Sequence, residues 1–64
     1  MEKVKLTNAK KMRLAAGLTV NDVSKKLGIS RQSISYYETG KNTPTVNRLK
    51  QLADLYMCEI KDLF

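Results

Sequence analysis

The stretch TVNDVSKKLGISRQSISYYETGK, residues 19–41, decides how this chain is read. Val23 and Leu27 lie four apart behind Thr19-Val20-Asn21-Asp22, a capping-box variant with Asp22 where Glu or Gln is usual. The spacing predicts a short helix that Gly28 ends. Ser30 offers an N-cap to a second helix, in which Ile34 and Tyr37 lie three apart, and Gly40 stops it. Two short helices joined by Gly28-Ile29-Ser30 cannot run antiparallel and bury their apolar faces on each other. A link that short, with Gly where φ > 0 is called for, suits a crossing of about 90–120°. Val23, Leu27, Ile29, Ile34 and Tyr37 then fill the inside corner. This is the specification of a helix-turn-helix over about residues 20–37, whose second helix, about 31–39, is free to protrude.

The outward face of that second helix has a chemistry of its own. Residues 31 and 35, and 32 and 36, are i,i+4 pairs, so Arg31, Gln32, Ser35 and Tyr36 project away from Ile34 and Tyr37. Arg suits the O6/N7 edge of guanine in a bidentate fork, and Gln suits the N6/N7 edge of adenine. Ser bonds to several base edges, while Tyr bonds a phosphate or meets a thymine methyl. The bland alternative is an ordinary solvated face, but such faces usually carry Glu and Lys. Here no acid occurs until Glu38, so a phosphate-lined groove meets no repulsion.

Working outward, apolar spacing stays helical. Leu6, Ala9, Met12 (or Arg13) and Ala16 make one stripe, with Thr7 a candidate N-cap and Gly17 a terminator. Lys41-Asn42-Thr43-Pro44 is a polar loop, in which Pro44 keeps Thr43 out of the helical region. Thr45 caps a further helix with Val46, Leu49, Leu52, Ala53 and Tyr56 on its apolar face, and a last short turn runs from Ile60 to Phe64. No segment alternates with period two for long enough to make a strand, and there is no internal repeat or linker. The expected fold is one all-α domain spanning residues 1–64, a compact bundle of about five short helices.

Composition bounds the function. Sixty-four residues make one small domain, which buries only about 60% of its unfolded surface. One Cys excludes an internal disulfide and suits a reducing cytosol, and nothing in the sequence gathers metal ligands. No metal or cofactor is expected. There is neither an apolar run of about 20 residues nor a signal-peptide core, so the expected compartment is the cytoplasm. The net charge of +6 is lopsided: residues 1–32 hold eight basic residues against two acidic, and residues 33–64 hold four of each. An anionic partner follows, with nucleic acid, a membrane surface or plain solvation the options. A membrane surface is disfavoured because the basic residues do not back a bulky aromatic or Leu stripe. With no His, no base beside Cys58 and the acids scattered singly, an enzyme is rejected.

From Leu6 to Phe64 the chain resembles the Xre-type helix-turn-helix regulators, the group that contains phage Cro and lambda-type repressors. The matching elements are Gly17-Leu18-Thr19, Leu27-Gly28-Ile29-Ser30, Ser33-Ile34-Ser35, Glu38-Thr39-Gly40-Lys41, Pro44-Thr45 and the tail Asp62-Leu63-Phe64. Each is weak alone; their order and spacing make a specific signature. The resemblance implies a lambda-repressor-like fold in which Arg13 pairs with Glu38 and ties helix 1 to the end of the recognition helix. The alternative for Arg13 is a phosphate-facing cation. Lys41 and Asn42, joined by Thr43, fall where the family clamps the DNA backbone, and Asn21, Ser30 and Ser33 are assigned to backbone contact as well. A solvated loop Lys is the alternative for Lys41. Three departures stand out: Val20 where Gln often makes a backbone contact, Ser24 where a small Ala is usual, and Met57 where many members have Gly, which puts the shape of that connection in question.

The resemblance also implies a partner and a mode of action. Family members usually bind as two-fold dimers with half-sites one helical turn, roughly 34 Å, apart. Tyr56, Met57, Cys58 and Ile60 are the interface candidates, with the alternative that they complete the core, the preferred reading for Cys58. The expected function is a sequence-specific duplex-DNA regulator, a small prokaryotic or phage repressor acting by promoter occlusion as a homodimer on a palindromic or pseudo-palindromic operator. The 64 residues leave no room for a ligand-sensing module, so no small-molecule ligand is expected. The rival reading is an antitoxin of the same fold that binds a toxin partner and autoregulates its operon.

Overall fold

A computed structural model describes residues 6–64; Glu2, Lys3 and Lys5, which enter the charge count, lie outside the described residues, as does the start of the expected 1–64 domain. Four α-helices follow in order: α1 (Ala9–Ala15), α2 (Val20–Leu27), α3 (Arg31–Thr39) and α4 (Val46–Leu55). The fifth expected helix is a single 3₁₀ turn, Ile60–Leu63. Four residues are too few to close a run of i→i+4 bonds, and the tighter i→i+3 bond serves instead, from Asp62 N–H to the Glu59 carbonyl at 3.0 Å. No strand occurs among the described residues.

Side-chain caps set the helix starts. Thr19 accepts from the Asp22 N–H while the Asp22 carboxylate accepts from the Thr19 N–H, closing a reciprocal capping box on α2. Ser30 and Thr45 cap α3 and α4 by accepting from the Ser33 and Arg48 N–H groups. Helix α1 departs from expectation. Its N-cap position is Asn8, without a side-chain cap bond, and the Thr7 hydroxyl instead donates to the Phe64 carbonyl. With the Asn8 N–H bonded to the Leu63 carbonyl at 3.0 Å, the start of α1 is tied to the end of the chain.

The core is made of Leu6, Ala9, Val23, Ile34, Leu52, Ala53, Tyr56 and Leu63, with Leu27, Ile29, Tyr37 and Leu49 among the partly buried residues around it. The five corner residues of the helix-turn-helix are thus buried or packed against the core, as α2 and α3 lie on each other. Two positions of the expected stripes are not. Ala16 is exposed, and Arg13 rather than Met12 takes the buried place between Ala9 and the end of α1. Val46 is 74% exposed, because the first turn of α4 extends beyond the core that Leu52 and Ala53 enter.

Met57 takes the left-handed conformation that glycine favours. Its φ is +56°, and the Cys58 and Met57 N–H groups bond back to the Ala53 and Asp54 carbonyls at 2.9 and 3.2 Å. That is the Schellman pairing, so the connection after α4 retains the left-handed ending at a cost of about 1 kcal/mol for a residue with a Cβ.

Candidate nucleic-acid interface

The geometry of the turn decides what α3 can present. Gly28 sits at φ +68°, the left-handed ending that a two-residue link to Ser30 requires. Its N–H and that of Ile29 return to the Ser24 carbonyl at 2.9 and 3.2 Å. Ser24 adds a bond that an Ala could not make: its hydroxyl donates to the Ile29 carbonyl, across the turn from α2. The angle between the two helices is therefore fixed by polar bonds as well as by Val23 and Ile34.

A second anchor holds α3 at its far end. Arg13 Nε donates to Glu38 Oε2 at 2.8 Å and Nη2 to Oε1 at 3.3 Å, while Nη1 donates to the Leu18 carbonyl at 3.0 Å. Both side chains are largely buried, 7% and 11% exposed. The hydrogen bond to Glu38 outweighs the burial of the cation and raises the guanidinium pKa above its ordinary value. The pair is turned inward, so Arg13 is not offered to a phosphate. Burial, with the charge of nearby Glu38 added, pushes the Tyr56 phenol up to about 12.

With both ends held, the outer face of α3 is left to solvent. Arg31, Gln32 and Ser35 are exposed and Tyr36 is half-buried, with Ile34 fully buried beneath. No acid lies on this face. Gln32 Nε2 donates to Tyr36 Oη at 2.7 Å, and Lys41 Nζ lies 5.2 Å from the centre of the Tyr36 ring, within cation–π range. Lys10, Lys11, Lys25 and Lys26 are exposed as well, on α1 and α2.

The backbone-contact candidates divide into three kinds. Asn21, Lys41, Asn42 and Thr43 are exposed, Asn21 on the first turn of α2 and the others in the loop after α3. The Asn42 N–H is engaged, donating to the Tyr36 carbonyl at 3.2 Å, so what Asn42 offers outward is its side chain. Ser30 and Ser33 face each other at the start of α3, hydroxyl to hydroxyl at 2.9 Å, with Ser30 also serving as the cap. Each hydroxyl keeps hydrogen-bonding capacity beyond these bonds.

The interface candidates after α4 separate too. Tyr56 is in the core, Cys58 and Ile60 are partly buried, and Met57 is 92% exposed. Burial, then the negative charge of Asp62, raises the Cys58 thiol pKa above its ordinary value. Among the described residues no group of His, Cys, Asp or Glu is placed to hold a metal ion, and no helix is long and apolar enough to cross a membrane.

Sequence reading missed the Ser24–Ile29 bond and the Gln32–Tyr36–Lys41 set. The i,i+4 spacing of Gln32 and Tyr36 was a usable signal. Lys41 reaches Tyr36 only because the chain reverses at Gly40, which spacing does not show.

Comparison of the sequence with known proteins gives a family. A family model described as helix-turn-helix matches residues 10–63. The chain is similar to an uncharacterised HTH-type transcriptional regulator of Archaeoglobus fulgidus, 31% identical over 58 residues that cover 91% of this chain and 83% of that protein. It is similar to another from Methanocaldococcus jannaschii, 40% identical over 47 residues, 73% of this chain and 71% of that one. A further Archaeoglobus fulgidus regulator of the same description is 28% identical over 58 residues, covering 91% and 82%.

Proposed function

The chain belongs to the helix-turn-helix family of DNA-binding transcriptional regulators, and from that premise we propose that it reads a specific duplex sequence and represses transcription by occupying a promoter. Membership makes it a regulator and not an enzyme. The observation that carries the finer reading is the outer face of α3: Arg31, Gln32 and Ser35 exposed, no acid among them, on a helix held at both ends by groups that play no part in that face. Arg31, Gln32 and Ser35 read base edges, with Tyr36 beside them on the same face, bonded to Gln32. Lys41, Asn42, Thr43, Asn21, Ser30 and Ser33 fix register on the phosphates. Occlusion of a promoter needs nothing beyond this surface. In a prokaryotic cell such a regulator works in the cytoplasm, where the DNA is.

One recognition helix spans few base pairs, so two copies on a two-fold operator give the specificity a regulator needs, with half-sites roughly 34 Å apart. Met57 and Ile60, with Cys58 beside them, are the residues we place between the copies. Tyr56 contributes from beneath, as part of the core. Sedimentation of a monomer at high micromolar concentration, and also on DNA, would overturn the dimer.

Selection from random duplex DNA followed by a salt titration of the winner tests the whole reading. A palindromic or pseudo-palindromic motif is expected. Arg31→Ala should cost about 1–3 kcal/mol of binding and relax one base position. Lys41→Ala should weaken all sequences alike and flatten the salt dependence by about one ion. A selection that enriches no motif sinks sequence-specific recognition.

A further inference from the structure

We propose that Tyr36 is a positioning residue, whose phenolic oxygen holds the Gln32 amide in the one orientation that selects adenine over guanine; this rests on the DNA-reading role proposed above. A primary amide carries two N–H donors and one carbonyl acceptor. Gln32 Nε2 donates to Tyr36 Oη at 2.7 Å, which occupies one donor and leaves one N–H and the carbonyl oxygen. Those two groups match the N7 acceptor and N6 donor of adenine. Guanine offers two acceptors, O6 and N7, and calls for two N–H groups. An amide free to turn can supply both. One tied to the phenol cannot without giving up that bond.

The phenol is a firm support. Its ring is half-buried and lies under the Lys41 ammonium at 5.2 Å, and the Tyr36 carbonyl accepts from the Asn42 N–H at 3.2 Å. Tyr36 thus stands between the exposed amide that meets the base and the loop that meets the phosphates. Holding the amide before DNA arrives also removes part of the side-chain entropy that binding would otherwise cost.

The test compares the full chain with Tyr36→Phe, Gln32→Ala and the double variant. Phe keeps the ring under Lys41 and removes only the hydroxyl. In the free protein, the Gln32 side-chain amide signals in a proton–nitrogen correlation spectrum should stand apart from those of a solvated Gln, and Tyr36→Phe should return them to that position. On the duplex returned by selection, Gln32→Ala identifies the base that Gln32 reads. At that base Tyr36→Phe should lower the adenine-over-guanine preference by about 5-fold. In the Gln32→Ala background it should change the preference no further. Unchanged amide signals in Tyr36→Phe overturn the positioning role, and so does a loss of preference at a different base, which would make Tyr36 a reader itself. If the amide signals shift as expected but selection yields no motif, base reading fails and the inference with it, and the two failures are told apart by the spectrum.

Discussion

The two faces of α3 are built by different physics. The inner face carries Ile34, fully buried, and Glu38, gripped by the fork of Arg13 from α1. The outer face carries Arg31, Gln32 and Ser35, exposed, and its bond between Gln32 and Tyr36 is made within the helix. Partners on the inner side come from elsewhere in the chain, so they set where the helix sits. Partners on the outer side come from the same helix or the loop after it, so they set how it presents itself. The lesson is a division of labour: stability should track the inner face and recognition the outer one, with little exchange between them.

The strongest way to break that division is at Arg13 and Glu38. Replacing either one alone by Met leaves a largely buried charge without its partner, and Arg13→Met also strips the Leu18 carbonyl of its donor. Each single change should cost about 3–5 kcal/mol, a large share of the stability of a domain this size. Replacing both together should cost much less than the sum, because two apolar side chains leave no orphaned charge. Urea titration of the four proteins gives the coupling. Additive single effects would show that the pair is not what holds the helix end.

Beneath the same face, Tyr56 makes the inner side sensitive to alkali. Burial, then the negative charge of Glu38, hold its phenol up to about 12, against about 10 in the unfolded chain, while Arg13 acts the other way. The folded state favours the neutral form. Its contribution is therefore full below about pH 10 and is lost as pH rises toward 12, an amount of about 2 kcal/mol. Tyr56→Phe should flatten the fall in urea midpoint over that window, on the background that lysine titration gives both proteins. Equal slopes would mean that the phenol ionises as readily in the fold as outside it.

How much of this was legible depended on sequence distance. The caps of Thr19, Ser30 and Thr45 and the endings at Gly17, Gly28 and Gly40 pair residues a few positions apart, and residue type alone points to them. The bond from Thr7 to Phe64 spans 57 positions, and nothing local distinguishes it from the N-cap that Thr7 was expected to be. Arg13 and Glu38, 25 apart, came from family resemblance rather than from spacing. Periodicity found the buried side of α4 but not its extent, since Val46 fits the stripe while the core ends short of it. Met57 shows the opposite failure: its side chain gives no hint of a left-handed backbone, which goes with the bonds from the Met57 and Cys58 N–H groups back to the last turn of α4.

The smallest expected effect is the sharpest test of the division. Gln32 is exposed, its side chain bonds to a neighbour one turn along, and such i,i+4 pairs are worth about 0.2–0.5 kcal/mol in a helix. Alanine is as good a helix former or better, so Gln32→Ala trades a weak side-chain bond for a small gain in propensity. Its stability in urea should stay within about 0.5 kcal/mol of the parent chain. Binding should still lose its preference at one base. The contrast with Arg13→Met then runs through one helix: a change on one side that unsettles the fold, and a change on the other that the fold does not register. A loss of more than about 1 kcal/mol in Gln32→Ala would mean that the outer face also carries the position of α3. Recognition could then not be altered there without loosening the domain.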